Sequence, residues 1–374
     1  SLLFSLSSTC LAAKTKKPVE KSEVLITAKS AVLMEQTTGK ILFEKNSHEK
    51  IKPASVTKIM TLLLTMESIE NKMFSYDTIV TATKESVSMG GSQIWLKEGE
   101  KMSVNDLIKA TAVASANDAA FALAIKIGGT EKNFVAMMNA RAKELEMNDT
   151  NFVNPTGLDE KDHITSAHDV AIMSRALLSK KDIKNYTSIW IDSLRGGKTS
   201  LVNTNKLVRF YKGCTGLKTG TTSGAGACVS ASATQNNMDL ISVIMNASDS
   251  KTRFNEARIL LDYGFANFML YSLKTKDENL PKVKVLNGTD KSISIKKSGD
   301  SKILIHKTLK NNIKEEIVIP EKLSTPIQKD QIVGKLKITI SENEFQEVDL
   351  ISTNNVEKMN FKNALFLLLK NLIS

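Results

Sequence analysis

A serine hydroxyl with an amine one helical turn away can begin nucleophilic chemistry, and Ser55-Val56-Thr57-Lys58 offers that pair. Two further strings follow in order: Ser115-Ala116-Asn117, a hydroxyl beside a side-chain amide, and Lys218-Thr219-Gly220, a cation and a hydroxyl ending in glycine. Serine is a poor nucleophile until a base takes its proton. No histidine lies near Ser55 in the sequence, so Lys58 is the natural base. A lysine base must be neutral, and both burial and the positive charge of Lys218 would lower its pKa. Ser115 suits the relay of a proton to a leaving amine, and Asn117 suits holding substrate backbone. Lys218 and Thr219 suit a C-terminal carboxylate, while Gly220 lets a substrate lie close to a strand edge. The backbone N–H groups of Ser55 and Thr221 would complete an oxyanion hole, worth about 3–4 kcal/mol per donor. The chemistry predicted is acyl transfer through a serine, on a peptide with a free carboxylate.

Each string alone is weak. Ser-x-x-Lys recurs at Ser47/Lys50, Ser248/Lys251 and Ser294/Lys297, and Ser-x-Asn at Ser341/Asn343 and Ser352/Asn354. The specificity lies in the ordered set and in the elements that must carry it. Ser55 opens a helix-period run with Ile59, Met60, Leu62, Leu63, Met66 and Ile69 as its apolar face. Ser115 lies within an alanine-rich helical stretch from Val104 to about Leu178, broken at Gly128-Gly129 and at Asn154-Pro155-Thr156-Gly157. Lys218 lies on a strand, Gly216 to Thr221, paired with Gly226 to Thr234. Ala31 to Glu44 reads as a hairpin, Leu240 to Met245 as a strand, and Phe254 to Leu270 as a closing amphipathic helix. Strands, helices and strands again predict one sheet interrupted by a helical lobe, spanning residues 24–274. From Pro281 to Ile351 short alternating strands predict a second, small β domain at 281–351.

At 374 residues, 41% hydrophobic and 24% charged, the chain can build a large core. Its net charge of +11 is spread along the whole length without a dense basic run interleaved with aromatics. That distribution speaks against nucleic acid and for an anionic surface. Residues 1–13 read as the remnant of a secretory signal, an apolar stretch ending in small residues, followed by a charged linker at 14–23. Residues 355–374 read as an amphipathic helix: Phe361, Leu365, Leu368, Leu369 and Leu372 on one side, Asn360, Asn363, Lys370 and Asn371 opposite. The run is too short to span a bilayer, so an in-plane membrane anchor is expected. His48, His163, His168 and His306 lack metal-ligand spacing, and no metal or other cofactor is expected. Cys214 and Cys228 flank the Lys218 strand; a disulfide across a hairpin and two buried thiols are both open.

At these residues the chain resembles the low-molecular-weight penicillin-binding proteins, specifically the D-alanyl-D-alanine carboxypeptidases. The likeness extends to Pro53-Ala54, Gly91-Ser92, Leu96-Lys97-Glu98-Gly99, Phe152-Val153-Asn154-Pro155-Thr156-Gly157-Leu158, Leu217 to Gly226 and Ala231 to Gln235. Pro326-Ile327 and Gly334-Lys335-Leu336 carry it into the second domain. The resemblance implies an α+β (α/β) fold of the DD-peptidase and β-lactamase type, an antiparallel sheet with flanking helices and a helical lobe. It implies removal of the terminal D-alanine from peptidoglycan stem pentapeptides through an acyl-Ser55 intermediate, outside the cytoplasm, with β-lactams as inhibitors. Ala116 and Cys228 depart mildly from the pattern and remove no catalytic group.

Rival activities use the same fold. A class A β-lactamase needs a Glu-containing loop to activate a deacylating water, and Asn151 to Asp162 lacks a Glu-x-x-x-Asn pattern, although Glu160 lies close. Endopeptidase cleavage of D-alanyl cross-links would use the same residues. A non-catalytic penicillin-binding wall protein would have lost some of them, and none is missing.

Overall fold

The computed structural model of the chain describes residues 24–299, 302–341 and 344–361. The expected signal remnant at 1–13, the linker at 14–23 and residues 362–374 of the expected anchor lie outside the described residues.

One antiparallel sheet organises residues 24 to about 270, with strands in the order Ile41–Lys45, Ser30–Glu35, Met238–Ala247, Gly226–Gln235 and Cys214–Thr222. Its central strands are buried along nearly their whole length. They therefore read as continuous runs of small and branched residues rather than as alternating ones. One face packs on the helical lobe, and the other on the Ser250–Asn267 helix. The Cys214–Thr222 strand forms one edge of the sheet, with Ile41–Lys45 at the other.

The Lys58–Glu70 helix runs through the centre of the lobe. It is buried on almost every side, from Lys58 to Met66. A helix buried all round can carry polar residues only if they are bonded locally. The Thr61 hydroxyl donates to the Pro155 carbonyl at 2.6 Å and that of Thr65 to the Thr61 carbonyl at 2.8 Å.

The closing helix ends at Asn267, not at Leu270 as the helical period suggested. Phe268–Ser272 turns into a strand that pairs with Lys302–His306. Phe268 pairs with His306, thirty-eight residues on, and packs against its ring, a partner that no local periodicity reveals. The remaining chain forms a four-stranded sheet, Ile295–Lys297, Glu344–Ser352, Ile332–Ser341 and Lys314–Val318, with a small three-stranded one beside it. They share a core of their own around Leu336, Ile338 and Leu350.

Residues 355–360, expected as the start of a terminal helix, instead run extended against this β region. Val356 is buried and bridges Ile327, and the N–H of Met359 donates to the Asn287 carbonyl. The two cysteines do not pair. The hairpin turns between Thr222 and Gly226, so Cys228 faces Gly220 while Cys214 faces Ala233, and both are free thiols. Burial pushes each thiol up to about 11, which leaves both in the unreactive protonated form.

Candidate active site

Ser55 sits in a single 3-10 turn, Ala54–Thr57, that leads directly into the Lys58–Glu70 helix. Ala54 carries a positive φ of 48°, a strained conformation for an alanine and of the kind found where function requires it. Lys58 is the first residue of the helix and is fully buried. Its Nζ lies 2.9 Å from Ser55 Oγ and donates to the Thr156 carbonyl at 2.7 Å. No carboxylate forms an ion pair with it among the described residues.

Two glycines let backbone close around this turn. Gly157 has φ +87°, and a Cβ there would stand 1.8 Å from the Ala54 carbonyl oxygen. A Cβ on Gly220 would come within 2.8 Å of the Ser55 nitrogen and 2.9 Å of the Ala54 Cβ. The sequence suggested that Gly220 makes room for a substrate. In the fold it makes room first for the Ala54–Thr57 turn, which seats Ser55 against the edge strand.

The edge strand brings Lys218 to the same place. Lys218 is 1% exposed, and its amine donates to the Thr219 carbonyl. The Thr219 hydroxyl donates to Thr204 Oγ1 at 2.7 Å, and the N–H of Thr204 donates to the Val113 carbonyl. Thr204 thus joins the Lys218 strand to the helix end just before Ser115. Ser115 has φ +60°, a second strained residue, and its hydroxyl has no hydrogen-bond partner among the described residues. Asn117 opens the next helix. Its Nδ2 donates to the Gly90 carbonyl at 2.5 Å, while its Oδ1 is buried with no partner. An orphaned buried acceptor is costly, and it is the group that a ligand N–H would satisfy. Asp118, next in line, accepts from the N–H groups of Ile94 and Leu96 and fixes the 90–96 segment to the helix start.

Two contributors were not visible in the sequence. Arg253, in the first turn of the Ser250–Asn267 helix, sends Nη1 to the Gly220 carbonyl at 2.9 Å, Thr221 Oγ1 at 2.7 Å and the Cys228 carbonyl at 3.2 Å. A cation in a helix's first turn opposes the helix dipole, and that local misfit was the one available signal. The other is His163, whose ring nitrogen lies 2.8 Å from Thr57 Oγ1. Glu160, the carboxylate nearest to the deacylation role of a β-lactamase, is exposed.

The electrostatics follow from three buried basic side chains, Lys58, Lys218 and Arg253, that lie close enough to act on one another in turn. Burial holds the Lys58 amine well below the usual lysine range; the charge of Lys218 lowers it further, and Asp118 opposes both. Lys218 is brought down to about 7 by burial and then by Arg253. A neutral amine beside a serine hydroxyl can accept its proton.

The family model described as D-alanyl-D-alanine carboxypeptidase matches residues 15–249, and that of the penicillin-binding protein 5 C-terminal domain matches 268–358. The chain is 41% identical to the D-alanyl-D-alanine carboxypeptidase DacF of Bacillus subtilis, over 91% of this chain and 88% of that one. It is 32% identical to DacC of Escherichia coli, over 96% and 90%. Among solved structures, penicillin-binding protein 5 of Haemophilus influenzae superposes with a TM-score of 0.81 at 30% identity, covering 89% of this chain and 98% of that one. Penicillin-binding protein D2 of Listeria monocytogenes, solved in an ampicillin-bound form, superposes with a TM-score of 0.59 at 30% identity, covering 64% and 98%.

Proposed function

The chain belongs to the D-alanyl-D-alanine carboxypeptidase family of serine peptidases, and on that premise we propose that Ser55 is the nucleophile and Lys58 its base. The protein is a serine-type D-Ala-D-Ala carboxypeptidase and a penicillin-binding protein of the cell wall. The observation that carries the residue roles is the 2.9 Å separation of Lys58 Nζ from Ser55 Oγ, at an amine held below its usual pKa.

Lys58 takes the Ser55 proton as Oγ bonds to the carbonyl carbon of the penultimate D-alanine. The oxyanion that forms is stabilised by the backbone N–H groups of Ser55 and Thr221. Its collapse breaks the C–N bond, and the departing D-alanine nitrogen receives its proton by way of Ser115. Water then cleaves the acyl-Ser55 ester. Lys218 and Thr219 bind the terminal carboxylate, and Arg253 orients Thr221 beside them. Asn117 Oδ1 accepts a substrate backbone N–H, because its Nδ2 is already committed to Gly90. A β-lactam acylates Ser55 in the same way.

Carboxypeptidase action is favoured over endopeptidase action by extent of likeness. The endopeptidase of Haemophilus influenzae matches 49% of this chain, against 91% for the Bacillus enzyme. We further propose that the enzyme works on the outer face of the cytoplasmic membrane, held there by the amphipathic C-terminal segment. No helix among the described residues is long and apolar enough to cross a membrane. Deleting 362–374, which spares the buried Val356, should release the protein from membranes with its peptidase activity intact; continued association would remove the anchor reading.

The deciding experiment is intact mass of the protein after penicillin, alongside D-alanine release from a Lys-D-Ala-D-Ala peptide. A stable adduct on Ser55 with D-alanine release is expected. An adduct without release would favour endopeptidase action or a non-catalytic binder, and rapid penicillin loss without an adduct would favour a β-lactamase.

A further inference from the structure

Thr57 lies between the proposed nucleophile and the proposed base in the chain, and its hydroxyl is held from outside its own helix by His163. His163 Nδ1 accepts the backbone N–H of Val153 at 2.9 Å. In a neutral imidazole this leaves the single ring proton on Nε2, so Nε2–H donates to Thr57 Oγ1 at 2.8 Å. The ring is 1% exposed and stands edge-on to Phe152. Asp159 is the charged group that acts on it, and burial outweighs that carboxylate to hold the imidazole down to about 4. It is therefore uncharged across the neutral range.

The segment that His163 grips at Val153 is the one that holds the base. Asn154 Oδ1 accepts from the N–H groups of Thr156 and Gly157, which fixes the turn. The Thr156 carbonyl at its tip accepts the Lys58 amine. Asp159, two residues past that turn, ties the same loop to the end of the Lys218 strand through Thr222 and Gly224. One imidazole therefore binds the turn carrying Ser55 to the loop that positions the amine of Lys58. Both ring nitrogens are spent in directional bonds, where packing alone would need only an apolar ring.

We propose that His163 is a positioning residue for acylation, a neutral clamp that sets the Ser55 hydroxyl and the Lys58 amine in register. The proposal rests on the assignment of those two residues as nucleophile and base.

The test is the second-order rate of Ser55 acylation by a fluorescent penicillin, with melting temperature recorded for each variant. His163→Leu should slow acylation about 10- to 100-fold, the scale of a small misplacement of reacting groups. Thr57→Val should fall in the same range. The double variant should be no slower than the worse single, because both remove one coupling. His163→Gln keeps an N–H at similar reach and should recover most of the rate. Wild-type acylation in His163→Leu would overturn the clamp, as would losses that simply add, or a Gln variant as slow as Leu. If the wild-type protein itself forms no adduct at Ser55, the nucleophile assignment falls and takes the clamp with it.

Discussion

Lys58 Nζ stands 2.9 Å from Ser55 Oγ, and its other bond is to a backbone carbonyl, that of Thr156. No carboxylate pairs with this amine among the described residues, and burial, then the charge of Lys218, both disfavour its protonated form. The pair is thus arranged for the amine to take a proton.

Lys58→Arg tests this directly. A guanidinium stays protonated in proteins, so it preserves positive charge while removing the base. Acylation by penicillin should fall by about 10²- to 10⁴-fold, the usual contribution of general base catalysis, and Ser55→Ala should abolish the adduct. Stopped-flow acylation and intact mass measure these. An arginine variant that acylates at the parent rate would show that the proton goes elsewhere.

The cleft should bind anions with a proton. Lys218 is lowered to about 7 from the ordinary lysine value of 10.5, first by burial and then by Arg253. As pH rises through about 7 the free cleft loses this charge, so a carboxylate ligand must restore it. A D-Ala-D-Ala peptide binding to the Ser55→Ala protein should weaken above pH 7 and take up a proton there. Calorimetry in buffers of different ionisation enthalpy reads the uptake. Affinity independent of pH from 6 to 9 would mean that Lys218 does not meet the carboxylate. The same shift bears on folding: the unfolded chain holds a proton that the folded one does not between pH 7 and 10.5, so this group's contribution to stability rises with pH in that window.

Arg253→Gln should act on both counts. It removes charge-assisted bonds to Gly220, Thr221 and Cys228, at a cost of roughly 2–4 kcal/mol in stability. It also removes the charge that lowers Lys218, so the pH at which carboxylate binding weakens should move up. A variant that loses stability with an unmoved pH midpoint would separate the two roles.

The three strings were legible because serine, lysine and asparagine in that order have few other uses together, and because each fell on a recognisable element. Their convergence is carried by contacts that no string contains. Gly220 meets the Ser55 turn, and Thr204 bridges Thr219 to Val113. Thr156 lies in a loop and serves through its carbonyl, and a backbone group leaves no trace in residue type. Arg253 and His163 reach the site from distant segments, so only the folded chain brings them there. The helix boundary at Asn267 was missed for the same reason, since the pairing of Phe268 with His306 overrides a local helical period.

Gly157 sets the closest approach in the site, and replacing it should separate strain from placement. An alanine Cβ at 157 would stand 1.8 Å from the Ala54 oxygen and 2.4 Å from its carbonyl carbon. These are backbone atoms, which cannot rotate away as a side-chain tip can. The φ of +87° adds the ordinary left-handed penalty of about 1–2 kcal/mol. Gly99 is the matched control: its φ is +76°, yet a Cβ there would meet nothing within 4 Å. Gly99→Ala should therefore lower stability by about 1–2 kcal/mol and leave acylation unchanged. Gly157→Ala should lose more stability and slow acylation about 100-fold, because the displaced carbonyl belongs to Ala54, the residue before Ser55. Denaturant titration and penicillin labelling of the two variants side by side decide the matter. Equal stability losses, with acylation intact in both, would mean that the Ala54–Ser55 turn can yield and that its close packing is not what places Ser55.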